Sequence, residues 1–121
     1  MKTFNDLLVW QKAHQLVIET YHLTQQFPAE ERYGLTQQMR RAVVSVAANI
    51  AEGHQRSSKR EFLRFLDIAH GSLDELKYYL ILSKDLRYLN GSCVELCKRA
   101  EEIGRMLNGL KAHVKREVRH A

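Results

Sequence analysis

The stretch Leu35–Gly53, LTQQMRRAVVSVAANIAEG, restricts what this chain can fold into more than any other, because it carries two helical stripes side by side. Leu35, Met39, Ala42, Val43, Val46, Ala47 and Ile50 recur at steps of three and four, which places them on one apolar face of a helix. Gln38, Arg41, Ser45, Asn49 and Glu52 recur at similar steps and form a polar stripe beside it. Ala42, Ala47, Ala48 and Ala51 add small side chains, which let a neighbouring helix approach closely. A Ser/Asn row can hydrogen-bond across such a contact. Gly53 is expected to end the helix in the left-handed conformation of a C-terminal cap.

The remaining helices follow from periodicity and punctuation. Leu7, Trp10, Ala13, Val17 and Tyr21 mark one face of a first helix running to about Gln26, widened by Val9, Leu16 and Leu23. Asn5 or Asp6 can cap it. Phe27-Pro28 closes it, since the residue before proline is pushed out of the helical region. Pro28 is also pre-set to open a single turn over 28–34, so the second helix begins at Leu35 or a few residues earlier. Ser58 followed by Glu61 is a capping box that opens a third helix. Phe62, Phe65, Leu66, Ala69, Leu73, Leu76 and Leu80 form its apolar side. Gly71 and Ser72 fall in its middle, where glycine costs about 1 kcal/mol relative to alanine; a close helix contact there is the expected compensation. Asn90-Gly91 is a turn signal. A fourth helix starts near Ser92, with Cys93, Leu96, Ala100, Ile103, Leu107, Leu110, Val114 and Val118 in step and a candidate break at Asn108-Gly109. Four helices of roughly twenty residues, each about 30 Å long, joined by short loops, make an all-α, up-down-up-down four-helix bundle in one domain, 1–121.

Composition narrows the function classes. The chain has 121 residues with 19 Lys+Arg against 14 Asp+Glu, a formal charge of +5 that is compatible with an anionic partner without demanding one. The amino terminus meets Asn5 and Asp6 before any long apolar run, so no signal peptide is expected, and no stretch of about eighteen apolar residues offers a membrane span. Cys93 and Cys97 stand one helical turn apart, an awkward separation for a disulfide. The expectation is a reduced, cytoplasmic chain with plain core cysteines and no membrane partner. The histidines at 14, 22, 54, 70, 113 and 120 show no metal spacing. Arg41, Ser45, Asn49 and Glu52 lack a base beside a nucleophile and read as structural hydrogen-bonding residues within or between subunits. No catalytic set, metal site or cofactor is expected.

The cations cluster in three places: Arg40 and Arg41; Arg56, Lys59, Arg60 and Arg64; and Lys98, Arg99, Arg105, Lys111, Lys115, Arg116 and Arg119. Positive charge spread along a face suits phosphates, and arginine adds forked donors. Arg40, Arg41, Arg56, Lys59, Arg60, Arg64, Lys98, Arg105 and Lys111 are therefore the candidate nucleic-acid contacts. Glu95, Glu101, Glu102 and Glu117 interleave with the fourth-helix set, as on any solvated helix. No aromatic platform for single strands is evident.

Several segments together resemble a known family. They are Leu7–Ala13 (LLVWQKA), Phe27-Pro28, Glu31–Gln38 (ERYGLTQQ), Arg40-Arg41-Ala42, Ser45, Asn49–Gly53 (NIAEG), Glu61-Phe62, Gly71-Ser72-Leu73 and Glu75-Leu76. The chain resembles the four-helix-bundle proteins encoded in intervening sequences of 23S rRNA genes, and is similar to the accessory variability determinant of diversity-generating retroelements. The resemblance fades after about residue 90. It implies a homo-pentamer arranged as a tapered barrel around a central channel, nucleic-acid binding without strong sequence preference and, in the retroelement relatives, engagement of a reverse transcriptase. The residues themselves do not set the number five. Arg41, Ser45, Asn49, Glu52, Gly71, Ser72 and Glu75 are the candidates for the oligomer interface or polar packing. The leading expectation is a non-enzymatic, homo-oligomeric bundle that binds RNA or DNA through basic surfaces; the alternative is a protein-interaction scaffold with no nucleic-acid role.

Overall fold

The computed structural model describes residues 3–89, 91 and 93–120, and contains four α-helices: α1 (Leu8–Thr24), α2 (Leu35–His54), α3 (Lys59–Asp85) and α4 (Cys93–Arg119). Short 3₁₀ turns precede α1 at Phe4–Asp6 and α2 at Ala29–Glu31, and no strand occurs among the described residues. Each helix packs on the ones before and after it, and α1 closes the square against α4. The expected Asn90 turn and Ser92 helix start lie outside the described residues.

The apolar stripe read in α2 is buried throughout: Leu35, Met39, Ala42, Val43, Val46, Ala47 and Ile50 all face the core. The α3 stripe is buried at Phe62, Leu66, Ala69, Leu73, Leu76 and Leu80, with Phe65 half-buried. Leu96, Ala100, Ile103, Leu107 and Val114 supply the wall from α4.

The buried side of α1 differs from the expected face. It is Val9, Ala13, Leu16, Thr20 and Thr24, while Tyr21 turns outward and Trp10 and Val17 flank. Thr20 Oγ1 donates to the Leu16 carbonyl at 2.8 Å and Thr24 Oγ1 to the Thr20 carbonyl at 2.8 Å. With its donor satisfied inside its own helix, each hydroxyl is buried at little cost. Neither Asn5 nor Asp6 caps α1: both lie in the 3₁₀ turn, and Leu7 occupies the cap position without a side-chain bond. The helix also stops at Thr24, short of Gln26, and Phe27 is buried with its ring centroid 5.4 Å from that of Tyr88.

Helix termini are secured by specific side chains. Glu31 Oε1 accepts from the Leu35 N–H at 3.1 Å, satisfying an amide in the first turn of α2, and Tyr88 Oη donates to Glu31 Oε2 at 2.8 Å. One carboxylate thereby ties the α1–α2 connection to the exit of α3. Ser58 caps α3 as expected, its Oγ accepting from the Glu61 N–H at 3.3 Å. At the other end of α3, the Tyr88 N–H reaches the Ser83 carbonyl and the Arg87 N–H reaches the Lys84 carbonyl, both at 2.9 Å. This is the Schellman arrangement, and its left-handed residue is Arg87, at φ 65°.

The glycines exchange the roles expected of them. Gly53 is not a left-handed cap: no glycine among the described residues has positive φ, and α2 continues to His54. A Cβ at Gly53 would stand 2.6 Å from Phe65 Cβ and 3.0 Å from Phe62 Cδ1, so Gly53 lets α3 pass close to α2. Gly71 has nothing within 4 Å of such a position and is exposed, so no helix of this subunit contacts it. Gly109 is equally open, and α4 runs through Asn108-Gly109 unbroken.

Opposite effects are expected from the same substitution at two glycines. Gly53→Ala should destabilise by about 1–3 kcal/mol through overpacking, and Gly71→Ala should stabilise by about 0.5–1 kcal/mol. Urea unfolding of both variants checks this; equal shifts of one sign would contradict it. Arg87→Gly should raise stability by roughly 0.5–1 kcal/mol by relieving a left-handed non-glycine residue, read as a higher melting temperature.

Candidate nucleic-acid interface

The antiparallel order of the helices brings the α2–α3 loop, the start of α3 and the end of α4 to the same end of the bundle. Lys59 Nζ lies 3.6 Å from Glu117 Oε1, and Lys111 Nζ lies 3.3 Å from Asp67 Oδ1. Five candidate contacts therefore converge: Arg56, Lys59, Arg60, Arg64 and Lys111, with Lys115, Arg116 and Arg119 of α4 beyond them. Glu52, Glu61, Asp67 and Glu117 are the carboxylates of this end, fewer than the cations.

Phe65 gives the cluster its geometry. The Arg56 guanidinium lies 5.0 Å from the Phe65 ring centroid and that of Arg64 4.7 Å from it. Arg56 also pairs with Glu52 one turn earlier. Guanidinium groups resting on an aromatic face have fewer orientations to lose when they meet a phosphate.

The other four candidates lie elsewhere. Arg40 is half-buried and holds α1 against α2: its Nε donates to Thr24 Oγ1 at 2.9 Å, and its guanidinium sits 4.5 Å from the Tyr21 ring centroid. Two of its five N–H donors are engaged in this packing. Arg41 is exposed on α2. Lys98 and Arg105 are exposed on α4, around a shallow depression that Cys93 and Cys97 also line.

The polar stripe of α2 divides. Asn49 Nδ2 donates to the Ser45 carbonyl at 2.8 Å and to Ser45 Oγ at 2.9 Å, and Ser45 Oγ is 2.7 Å from Ser72 Oγ on α3. This half-buried chain joins the two helices. Arg41, Glu52, Gly71 and Glu75 stay outside it, on the exposed surface. Neighbouring Tyr79 has its phenol raised above the ordinary value by desolvation and by the Glu75 carboxylate.

Cys93 is half-buried and Cys97 exposed, both free, because the buried stripe of α4 passes through Leu96 and Ala100. They are not core cysteines. Desolvation and the neighbouring Cys93 push the Cys97 thiol up. Among the described residues, no group of three or more His, Cys, Asp or Glu side chains is placed to hold a metal, and no helix is long and apolar enough to cross a membrane.

His70 marks the α3–α4 seam. Its Nδ1 is buried without a hydrogen-bond partner, and its Nε2 lies 4.0 Å from where a Cβ on the buried Gly104 would stand. Burial first, then the positive charges of Lys111 and Lys77, lower its pKa from the usual 6.5, against the opposing pull of Asp74 and Asp67. The unfolded chain therefore binds a proton more readily, and stability is lost as pH falls below about 6.5 through the folded-state pKa. His70→Gln should flatten the pH dependence of unfolding below about 6.5; an unchanged slope would show that His70 does not contribute.

Comparison with known proteins adds the lineage. Residues 5–109 match the family described as 23S rRNA-intervening sequence protein. A crystal structure from Bacteroides thetaiotaomicron VPI-5482, a protein of unknown function from the S23 ribosomal protein family, is similar in fold, with a TM-score of 0.76 at 23% identity. The match covers 86% of this chain and 98% of that one. No curated protein matches. The family match extends from the first 3₁₀ turn well into α4, stopping short of Lys111 and the last turns of that helix, and the chain belongs to the 23S rRNA-intervening sequence protein family.

Proposed function

We propose that this chain is a non-enzymatic, self-associating bundle that binds the backbone of RNA or DNA through its basic end. The observation that carries the reading is the convergence of Arg56, Lys59, Arg60, Arg64 and Lys111, with two guanidiniums resting on Phe65. The mechanism is electrostatic: cations neutralise phosphates and release condensed counterions, so affinity falls steeply with salt and depends little on sequence.

Self-association strengthens the effect, because each added copy brings another basic end. Ile68, Tyr78 and Ile81 on α3 and Val44 on α2 remain exposed after the core is complete, as surplus apolar surface awaiting a partner does. The homo-pentamer implied by the family resemblance is the assembly proposed, and a reverse transcriptase the protein partner the same resemblance implies. The exposed apolar positions also favour a second reading, a scaffold that docks proteins and leaves nucleic acid alone.

Charge reversal separates the two. Arg56→Glu, Lys59→Glu and Arg60→Glu together remove two exposed ion pairs and the contact of Arg56 with the Phe65 ring, each worth little to the fold at a solvent-exposed position. The triple variant should keep its helicity by circular dichroism and bind a nonspecific duplex at least about tenfold more weakly at low salt. Wild-type protein that ignores duplex at low salt, or whose affinity is indifferent to salt, would leave the scaffold reading in possession.

A further inference from the structure

A second basic surface lies at the opposite end of the bundle and differs in kind. Tyr21 from α1, Arg32 and Tyr33 from the connection, and Arg40, Arg41 and Val44 from α2 line one open groove. No carboxylate lines it, and none of the ion pairs among the described residues involves Arg32, Arg40 or Arg41. In a chain with 14 Asp+Glu, four of which interleave with the cations of α4, that is a local excess of positive charge. The floor is rigid: Arg40 is pinned by Thr24 Oγ1 at 2.9 Å and by the Tyr21 carbonyl at 3.4 Å, with its guanidinium over the Tyr21 ring. Tyr33, by contrast, is 82% exposed at the rim. A phenol ring presented to solvent beside uncompensated guanidiniums offers one stacking face and several phosphate donors together.

We propose that this groove takes an unpaired nucleotide, its base stacked on Tyr33 and its phosphate held by Arg32 and Arg41. Base stacking on an aromatic ring tolerates every base, and flanking guanidiniums track the backbone. A duplex hides its base faces, so the groove selects single strands, whereas the basic end reads phosphates in either form. The inference rests on the nucleic-acid reading above and adds strand selectivity to it. The sequence offers no interleaved aromatic platform, and the groove needs only one free ring: Tyr21, twelve positions earlier, lines it beneath Arg40.

The test is anisotropy with a labelled single-stranded octanucleotide and with a duplex of the same sequence, on wild type, Tyr33→Ala, Tyr33→Phe and the basic-end triple variant. Tyr33→Ala should weaken single-strand binding about tenfold and leave duplex binding unchanged, Tyr33→Phe should retain both, and the triple variant should weaken both. Displacement of the strand by AMP would locate the recognised unit in a single nucleotide, while failure to displace it, with the Tyr33→Ala loss intact, would assign the groove to a nucleotide within a strand. Single-strand affinity unchanged in Tyr33→Ala while the triple variant still loses duplex overturns the groove and spares the basic end. Wild type that binds neither form overturns both. A fall in solution mass for Tyr33→Ala by light scattering, without loss of strand binding, overturns the inference in favour of a second copy of this chain occupying the groove.

Discussion

The close approach of α2 to α3 is the constraint on which the rest of the structure depends. At Gly53 there is no room for a Cβ against Phe62 and Phe65; farther along the same seam Ser45 and Ser72 meet at hydrogen-bond distance. Close packing of this kind fixes the position of whatever lies on the seam. Phe65 is held by the contact with Gly53, and Phe65 is the ring that carries Arg56 and Arg64. The geometry of the basic end is thus set by a packing requirement inside the bundle, not by the charges themselves.

The other seams use different chemistry. Arg40 joins α1 to α2 through Thr24 and Tyr21, and α1 meets α4 through the Lys12–Glu102 and Glu19–Arg99 ion pairs. All four side chains are half-buried, and Glu19 keeps a second carboxylate oxygen buried without a hydrogen-bond partner. The Lys12 partner does hold the Glu102 carboxyl below its usual range. Buried polar groups in the bundle mostly find partners locally. Thr20, Thr24 and Ser83 bond back to their own helices, and Glu31 serves both an α2 amide and Tyr88.

The two ends of the bundle present cations in different company. At one end they are neutralised in part by Glu52, Asp67 and Glu117 and lie with Phe65, half-buried, beneath them. At the other, arginines stand without carboxylates beside an exposed tyrosine. The first arrangement meets a phosphate backbone of any form; the second adds a surface that only an unstacked base can use. Both are formed by elements distant in sequence, since each end of an antiparallel bundle gathers a loop with the termini of neighbouring helices.

The four helices, the apolar stripes of α2, α3 and α4, and the Ser58 cap were legible in the sequence, because helical periodicity and capping are set by residues within one turn of each other. Ser45 and Asn49 could likewise be read as structural. What local spacing could not reveal was the tertiary partner. Gly53 looks like a cap and is a close contact, Gly71 looks like a contact and faces outward, and Arg40 pins α1 to α2 in a way its neighbours in sequence do not announce. Thr20 and Thr24 read as polar but are buried, since a helix carbonyl one turn back accepts their hydroxyl protons. Sequence by itself determined where helices run and which face of each is apolar, through interactions a few residues long; only the tertiary structure decided which cations stand together and which glycine is crowded, because those depend on side chains that are brought together by the antiparallel packing of separate helices.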